Sequence, residues 1–308
     1  MKRLIKSILP VADIILLPFV YPAAWLMKNI RKAGVKRLPR TKNALMHVGV
    51  FPIRNHFYEP QFDNRNPELE FSQDRNLPGI DWNSSGQLEI LERFVFSKEL
   101  TDPPEHSFAS GDAEYWYQII RTIKPKRIFE IGSGNSTLIA IKAIDRNRKD
   151  DSDYKCEHIC IEPYPSPQLE EAGISSIIKK KVEDVELSFF SSLQENDILF
   201  IDSSHIIRPQ GDVLFEYLEI LPSLNKGVIV HTHDIFSPKN YLSQWLKDEV
   251  RFWNEQYLLE AFLTHNNSWR IVGALNYLHH HHYDKLKSIA PFLSTEREPG
   301  SFYIQKIT

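Results

Sequence analysis

The stretch RIFEIGSGNSTLIA, Arg127 to Ala140, decides the fold. An apolar run carrying one acid, Glu130, meets two glycines one residue apart, Gly132 and Gly134. Small polar residues follow, then apolar residues again. The pattern predicts a strand, a tight turn and the start of a helix, with the glycines letting the backbone turn sharply and approach a ligand closely.

The same alternation continues on both sides. Upstream, DAEYWYQIIRTI is helical; downstream, HICIEP is a strand, SIIKKKV a short strand and VEDVELSFFSSL helical. DILFID then reads as a strand, DVLFEYLEILPSL as a helix and GVIVHTHDI as a strand. One long aromatic helix is expected over YLSQWLKDEVRFWNEQYLLEAFLTH, residues 241–265, before the final strands WRIVGAL and SFYIQKI. Its Trp245, Phe252, Trp253, Tyr257 and Phe262 recur at helical spacing and are expected mostly in the core, with one or two left to stack on a sugar. Strands alternating with helices imply an α/β fold, a doubly wound and mostly parallel Rossmann-like sheet.

In such a sheet ligands bind at the carboxyl ends of the strands. A dinucleotide fingerprint wants a third glycine where Thr137 stands, and a phosphate loop wants a lysine that the turn lacks. Glu130, just ahead of the turn, disfavours phosphate and favours a cationic ligand. Glu162, at the end of the next strand, stands where an acid grips ribose hydroxyls. Glu183 and Asp184 follow the third strand, where an acid can accept from an adenine amino group. The ligand expected is a nucleoside bearing a cationic group.

FEIGSGNST, IEP, VEDV, DILFIDSSH and HTHDIF resemble, in order and spacing, the motifs of class I S-adenosylmethionine-dependent methyltransferases, nearest to a bacterial branch that methylates glycans and natural-product sugars. The resemblance covers about residues 106 to 308. It implies a seven-stranded sheet with an antiparallel C-terminal hairpin, and S-adenosylmethionine as cofactor. Glu130, Gly132, Ser133, Gly134 and Ser136 would line its methionine part, Glu162 its ribose and Asp184 its adenine. Asp202 would border both cofactor and acceptor.

Methyl transfer needs a hydroxyl held in line with the sulfonium methyl and relieved of its proton. Two clusters stand where the acceptor belongs: Asp202 and His205 after the fourth strand, and His231, His233 and Asp234 after the fifth. In the metal-dependent sugar methyltransferases with a similar layout, acids at these places bind Mg2+. By that resemblance Asp202, His233 and Asp234 would hold a divalent ion and His205 would be the base. His233 departs from the family's carboxylate, and hard cations prefer oxygen. A softer ion, or none, therefore stays open. A bland reading has Asp202 ordering its turn and His205 bonding to backbone. His231 is expected to point away from the site as a satisfied strand residue, because alternate side chains face opposite ways. The run HHHHYDK, residues 279–285, is expected in a solvated loop.

The chain has 308 residues and a net charge of -3, with nine Lys and Arg against Asp13 in residues 1–40. The remainder is near -11, which argues against nucleic acid as a partner. Cys156 and Cys160 read as buried thiols, not a disulfide framework. Three domains are expected: a basic, apolar membrane-associating segment (1–40), an irregular arm or cap (41–105), and a methyltransferase domain (106–308). The arm contains one helix around Gln87 to Val95, and its His56, Tyr58 and Glu59 are candidates to reach over the acceptor. Residues Ile8 to Met27 are long enough to span a bilayer. With Pro10, Pro18 and Pro22 inside and basic residues on both flanks, they fit a dip into one leaflet or an interfacial helix better. A signal peptide, or packing on the protein or a second subunit, are the rivals.

The function expected is O-methylation of a sugar hydroxyl in a glycan or lipid-linked intermediate, at the cytoplasmic face of the membrane, in polysaccharide biosynthesis. Alternatives are a small-molecule methyltransferase or hydroxylase on the same fold, or a nucleoside-binding partner without turnover. Oligomer formation stays open.

Overall fold

A computed structural model describes residues 2–61, 70–170 and 173–308. The chain divides into two compact units, Met1–Leu69 and Glu70–Thr308.

In the first unit, α1 (Lys2–Ala33) is a single helix with Pro10, Pro18 and Pro22 inside it. Each proline removes one donor from the ladder, yet the helix runs on unbroken. The expected dip and return is therefore not what forms. Leu9–Ala33 is long and apolar enough, by length and composition, to cross a membrane, with a mean hydropathy of 1.7. Ile14, Phe19, Tyr21 and Trp25 are exposed along it. A short turn and α2 (Pro39–Val48) follow, the latter closed by Gly49 at φ 80°. Glu59 pairs with Arg31 at 2.8 Å and Arg54 at 3.4 Å inside this unit. Residues 62–69 of the expected arm lie outside the described residues.

The second unit is built on seven strands: β1 (Arg127–Ile131), β2 (Glu157–Ile161), β3 (Ser176–Ile178), β4 (Ile198–Ile201), β5 (Ile229–Thr232), β6 (Trp269–Ala274) and β7 (Phe302–Lys306). Their order is β3-β2-β1-β4-β5-β7-β6. The first five are parallel, and β7 runs antiparallel to both β5 and β6. The final pair is antiparallel as expected, and helices α7 (Leu275–His281) and α8 (Tyr283–Ile289) join its strands where a loop was expected.

Period-two alternation splits the core into two layers. Ile128, Phe200, Ile229 and Tyr303 face helices α4 (Asp112–Ile123) and α5 (Asn135–Asp150), packing on Trp116, Ile119 and Ala140. Phe129, Leu199, Val230 and Ile304 face the opposite layer with Tyr217, Ile220 and Leu259. Helix α3 (Ser84–Arg93) lies against β6: Asn83 Nδ2 donates to the Ile271 carbonyl, and Gln87 Oε1 accepts from the Ala274 amide.

Three expectations change. The long helix over 241–265 breaks into a helical turn at Gln244–Asp248, an irregular stretch, and α6 (Glu255–Leu263). Val250 there takes φ 54°, a left-handed conformation that ends a helix. Of its aromatics, Trp245, Phe252, Trp253 and Phe262 are only half-buried and Tyr257 is exposed. The histidine run is helical, not a loop: His279 is buried, His280 pairs with Glu298 at 2.8 Å and His281 with Asp74 at 2.7 Å. His231 shares its face of β5 with His233, two residues on, their rings 6.4 Å apart. Among the described residues neither of its nitrogens has a hydrogen-bond partner, and its ring stacks on Tyr303 at 4.0 Å. It lies one step deeper in the core, where burial and the neighbouring His233 hold its pKa well below the usual value.

Candidate active site

The ladder between strands continues one residue past their ends. The Gly132 amide donates to the Ile161 carbonyl, Asp202 to Ile131 and His233 to Ile201, at 2.9–3.0 Å. These bonds bring the glycine turn and both acceptor clusters side by side at the carboxyl edge. Gly132 sits at φ +87°, and a Cβ there would lie 2.3 Å from the Asp202 carbonyl oxygen. Gly134 opens α5, and a Cβ there would meet nothing within 4 Å. At Gly132 the protein itself demands glycine; at Gly134 the space lies open towards a cavity.

That cavity, about 360 Å³, is lined by Ser133, Gly134, Asn135 and Ser136 on one side. Asp202, His233, Asp234, Trp245, Arg251 and Arg297 are on another. Glu162 ends β2 beside the turn, its Oε2 3.4 Å from the Ser133 hydroxyl. Asp184 lines a separate depression with Lys181, Gln210 and Gly211. Glu130 does not border the cavity. It is wholly buried, accepting from the Ser136 hydroxyl at 2.5 Å and lying 2.9 Å from His158 Nε2, with the Cys160 thiol at 3.6 Å. The carboxylate ties β1, β2 and the first turn of α5 together beneath the turn. Burial, with Glu130 nearby, pushes the Cys160 thiol far up, which keeps it protonated.

On the acceptor side four residues converge. His205 Nε2 is 3.3 Å from Asp202 Oδ1 and 3.6 Å from Asp234 Oδ2. His233 Nδ1 is 3.6 Å from Asp202 Oδ1 and 3.5 Å from Asp234 Oδ1. Both His205 and Asp234 hold left-handed backbone angles, φ 60° and 58°. Such strain in non-glycine residues needs surrounding structure to hold it. For His205 that structure is the start of α6: the Asn254 and Glu255 amides donate to the His205 carbonyl, and Glu255 Oε2 lies 2.7 Å from its Nδ1. Glu255 is fully buried, and the Tyr217 hydroxyl donates to its other oxygen at 3.0 Å. The bond of His205 to backbone and carboxylate thus runs through Nδ1 and the carbonyl, leaving Nε2 for the site.

Burial works against a charged imidazole at both rings. At His205 the carboxylates of Asp202 and Glu255 outweigh it and push the pKa up to about 10. At His233 the Asp234 and Asp202 carboxylates do the same. The cluster calls for positive charge among its four members.

Further residues join from distant parts of the sequence. Asp112, at the start of α4, is fully buried with Oδ2 3.8 Å from His233 Nε2. Its Oδ1 accepts from the Gly300 and Ser301 amides, and Arg297 donates to Oδ2 at 3.0 Å. Trp253 stacks on His205 with centroids 4.3 Å apart. The Arg251 guanidinium lies over both Trp245 and Trp253, at 4.5 and 4.6 Å. Glu255, Asp112 and Arg251 carry no motif of their own; the only hint for Glu255 is an acid opening a helix.

Residues 129–235 match a family described as a methyltransferase domain. The chain is also similar to an uncharacterized protein of Archaeoglobus fulgidus, 36% identical over 173 residues, covering 48% of this chain and 76% of that protein. Among solved structures it is similar to the O-methyltransferase TomG of Streptomyces achromogenes, involved in tomaymycin synthesis and solved with SAM. That likeness is 14% identity with a TM-score of 0.41, over 74% of this chain and 97% of that one. An O-methyltransferase of Bacillus cereus, solved with SAH, is 10% identical with a TM-score of 0.38, over 72% and 90%. At such identities and scores these two structural likenesses carry no weight.

Proposed function

We propose, from the methyltransferase domain matched over residues 129–235, that the chain is a class I S-adenosylmethionine-dependent methyltransferase and moves the donor's methyl group onto a sugar hydroxyl, in a glycan or a lipid-linked glycan intermediate. The carbon–sulfur bond of the sulfonium breaks as a carbon–oxygen bond forms, and the demethylated thioether leaves. The hydroxyl proton is released into the cluster of Asp202, His205, His233 and Asp234.

The observation that carries this reading is the single cavity bordered both by the glycine turn and by Asp202, His233 and Asp234. Gly134 and the N-terminal amides of α5 suit the donor's amino-acid end, with a carboxylate favoured at a helix N-terminus. Glu162 suits its ribose. Trp245 and Arg251 line the same cavity, which sets an aromatic edge beside a cation and fits a polar sugar ring next to the cluster. A base near the hydroxyl is worth roughly 100- to 10,000-fold in rate.

The lipid-linked part of the proposal rests on α1, whose apolar residues are exposed over Leu9–Ala33 and whose flanks are basic. Such a helix suits a bilayer carrying anionic lipid. With a cytosolic donor, the proposal puts the catalytic unit at the cytoplasmic face. The test is incubation of the full chain with methyl-labelled donor and a lipid-linked oligosaccharide extract. Label recovered in the sugar portion supports the reading; donor consumed with label only in small non-sugar molecules overturns it.

A further inference from the structure

We propose that the turn bearing Phe57 and Tyr58 is a second membrane-contact site, an aromatic anchor at the headgroup level of a bilayer containing anionic lipid, clasped to the C-terminal end of α1. It rests on the reading of α1 as a bilayer helix, and it adds a contact built from residues outside that helix.

The first observation is where the aromatic residues stand. The Glu59 amide donates to the His56 carbonyl at 2.8 Å, which makes His56 to Glu59 a four-residue turn with Phe57 and Tyr58 at its tip. Tips of this kind usually carry Gly, Pro, Asn, Asp or Ser. Here Phe57 is 82% exposed and Tyr58 84%. His56 stacks on Phe57 with centroids 4.6 Å apart, and Phe57 lies 4.1 Å from Tyr58, so the three rings form one cluster. Met46, Val48 and Val50, a few residues upstream, are also more than half exposed. Large apolar side chains gathered in this way and held open to water mark a contact surface.

The second is what holds the turn. Arg31, in the last turn of α1, donates to both oxygens of Glu59, from Nε at 2.8 Å and from Nη2 at 2.9 Å. Arg54 reaches the same carboxylate at 3.4 Å, and the Arg31 guanidinium lies over the Phe51 ring at 5.1 Å. The aromatic tip is thereby tied to the end of the apolar helix, where an inserted α1 meets the headgroups. Aromatic side chains concentrate at that level, and tyrosine in particular buries its ring while its hydroxyl stays wet.

Charge selects the occupant. Residues 28–61 hold eight Lys and Arg against one acid, Glu59, a net charge of +7. The Glu59 side chain is only 6% exposed inside its clasp, so the surface offered outward is cationic and aromatic. Two copies of such a surface repel each other, whereas a layer of anionic headgroups attracts it. Stable attachment to a bilayer generally takes two signals. The apolar length of α1 is one, and the basic, aromatic turn at its end is the other.

The test places an environment-sensitive fluorophore on the full chain through Tyr58→Cys; Cys156 and Cys160 are buried, which directs the label to position 58. On mixing with vesicles of phosphatidylcholine and phosphatidylglycerol, the emission is expected to shift to the blue. A spin label at the headgroup should quench it more than one at the end of the acyl chain. Phe57→Ser combined with Tyr58→Ser should lower the partition of the unlabelled chain into the same vesicles roughly tenfold, as partial burial of two aromatic rings implies. Circular dichroism checks that the double variant is folded. A chain that floats with the vesicles while the label keeps its emission in water overturns the anchor and leaves α1 as the membrane contact. Unchanged partition of the folded double variant does the same. A chain that does not float overturns both the anchor and the membrane reading of α1. A blue shift without lipid that grows with protein concentration overturns the anchor in favour of contact between copies of the chain.

Discussion

Gly132 holds φ at +87° with its α-carbon against the Asp202 carbonyl, so a methyl group there has nowhere to go. Gly132→Ala should cost about 1–3 kcal/mol of stability from the backbone alone. It should also move the β4 end that carries Asp202, reducing donor affinity measured by calorimetry; unchanged affinity would mean that the turn is not the donor's cradle. Asp112 offers a second expectation. Asp112→Ala leaves the buried Gly300 and Ser301 amides without their acceptor, at about 1–3 kcal/mol each. Asp112→Asn should recover most of that loss in a thermal melt, because its amide oxygen still accepts. At this scale Gly132, Asp202, His205, His233 and Asp234 were legible from motif order, since each follows a strand. Glu255 and Asp112 were not: they lie 50 residues after His205 and 121 before His233, and only the folded chain brings them to the rings. The buried partners of Glu130 were not legible for a related reason. An acid before a glycine turn reads as a ligand contact, while here period two sends it inward to His158.

Among the elements, the strands were legible because each is a short apolar run between turn signals, and β1 through β5 follow that rule. The segment between β5 and β6 was not. Its aromatic spacing mimics a helix, but Arg251 folds across Trp245 and Trp253, and Val250 takes a left-handed angle that no periodicity reveals. Trp245 and Arg251 of this segment line the cavity, on the side where the proposal puts the acceptor. Arg251→Ala removes two cation–ring contacts of about 0.5–2 kcal/mol together. The expected result is a several-fold rise in the acceptor's KM with donor affinity unchanged. Equal losses for donor and acceptor would place this segment outside acceptor binding. The histidine run failed to announce itself as helix because consecutive polar residues mask the buried face that His279 and Leu278 share.

At the scale of the whole molecule, two units answer to two kinds of sequence signal. Alternating strands and helices built the larger one, and its seven-stranded order follows the resemblance. The apolar length of α1 was plain, whereas its continuity through three prolines was not, because proline's local cost predicts a break. Full-length protein is expected to float with vesicles containing anionic lipid and to be partly released by salt, since basic flanks act through screened charge. Protein that stays in solution with such vesicles would remove the membrane from the proposal and leave the catalytic unit untouched. The most direct measurement for the molecule as a whole is calorimetric titration of the purified full chain with S-adenosylhomocysteine. One molecule taken up per chain, with uptake weakened by Gly132→Ala, is the predicted result; a folded chain that takes up none contradicts the assignment of the carboxyl edge of this sheet to methyl transfer.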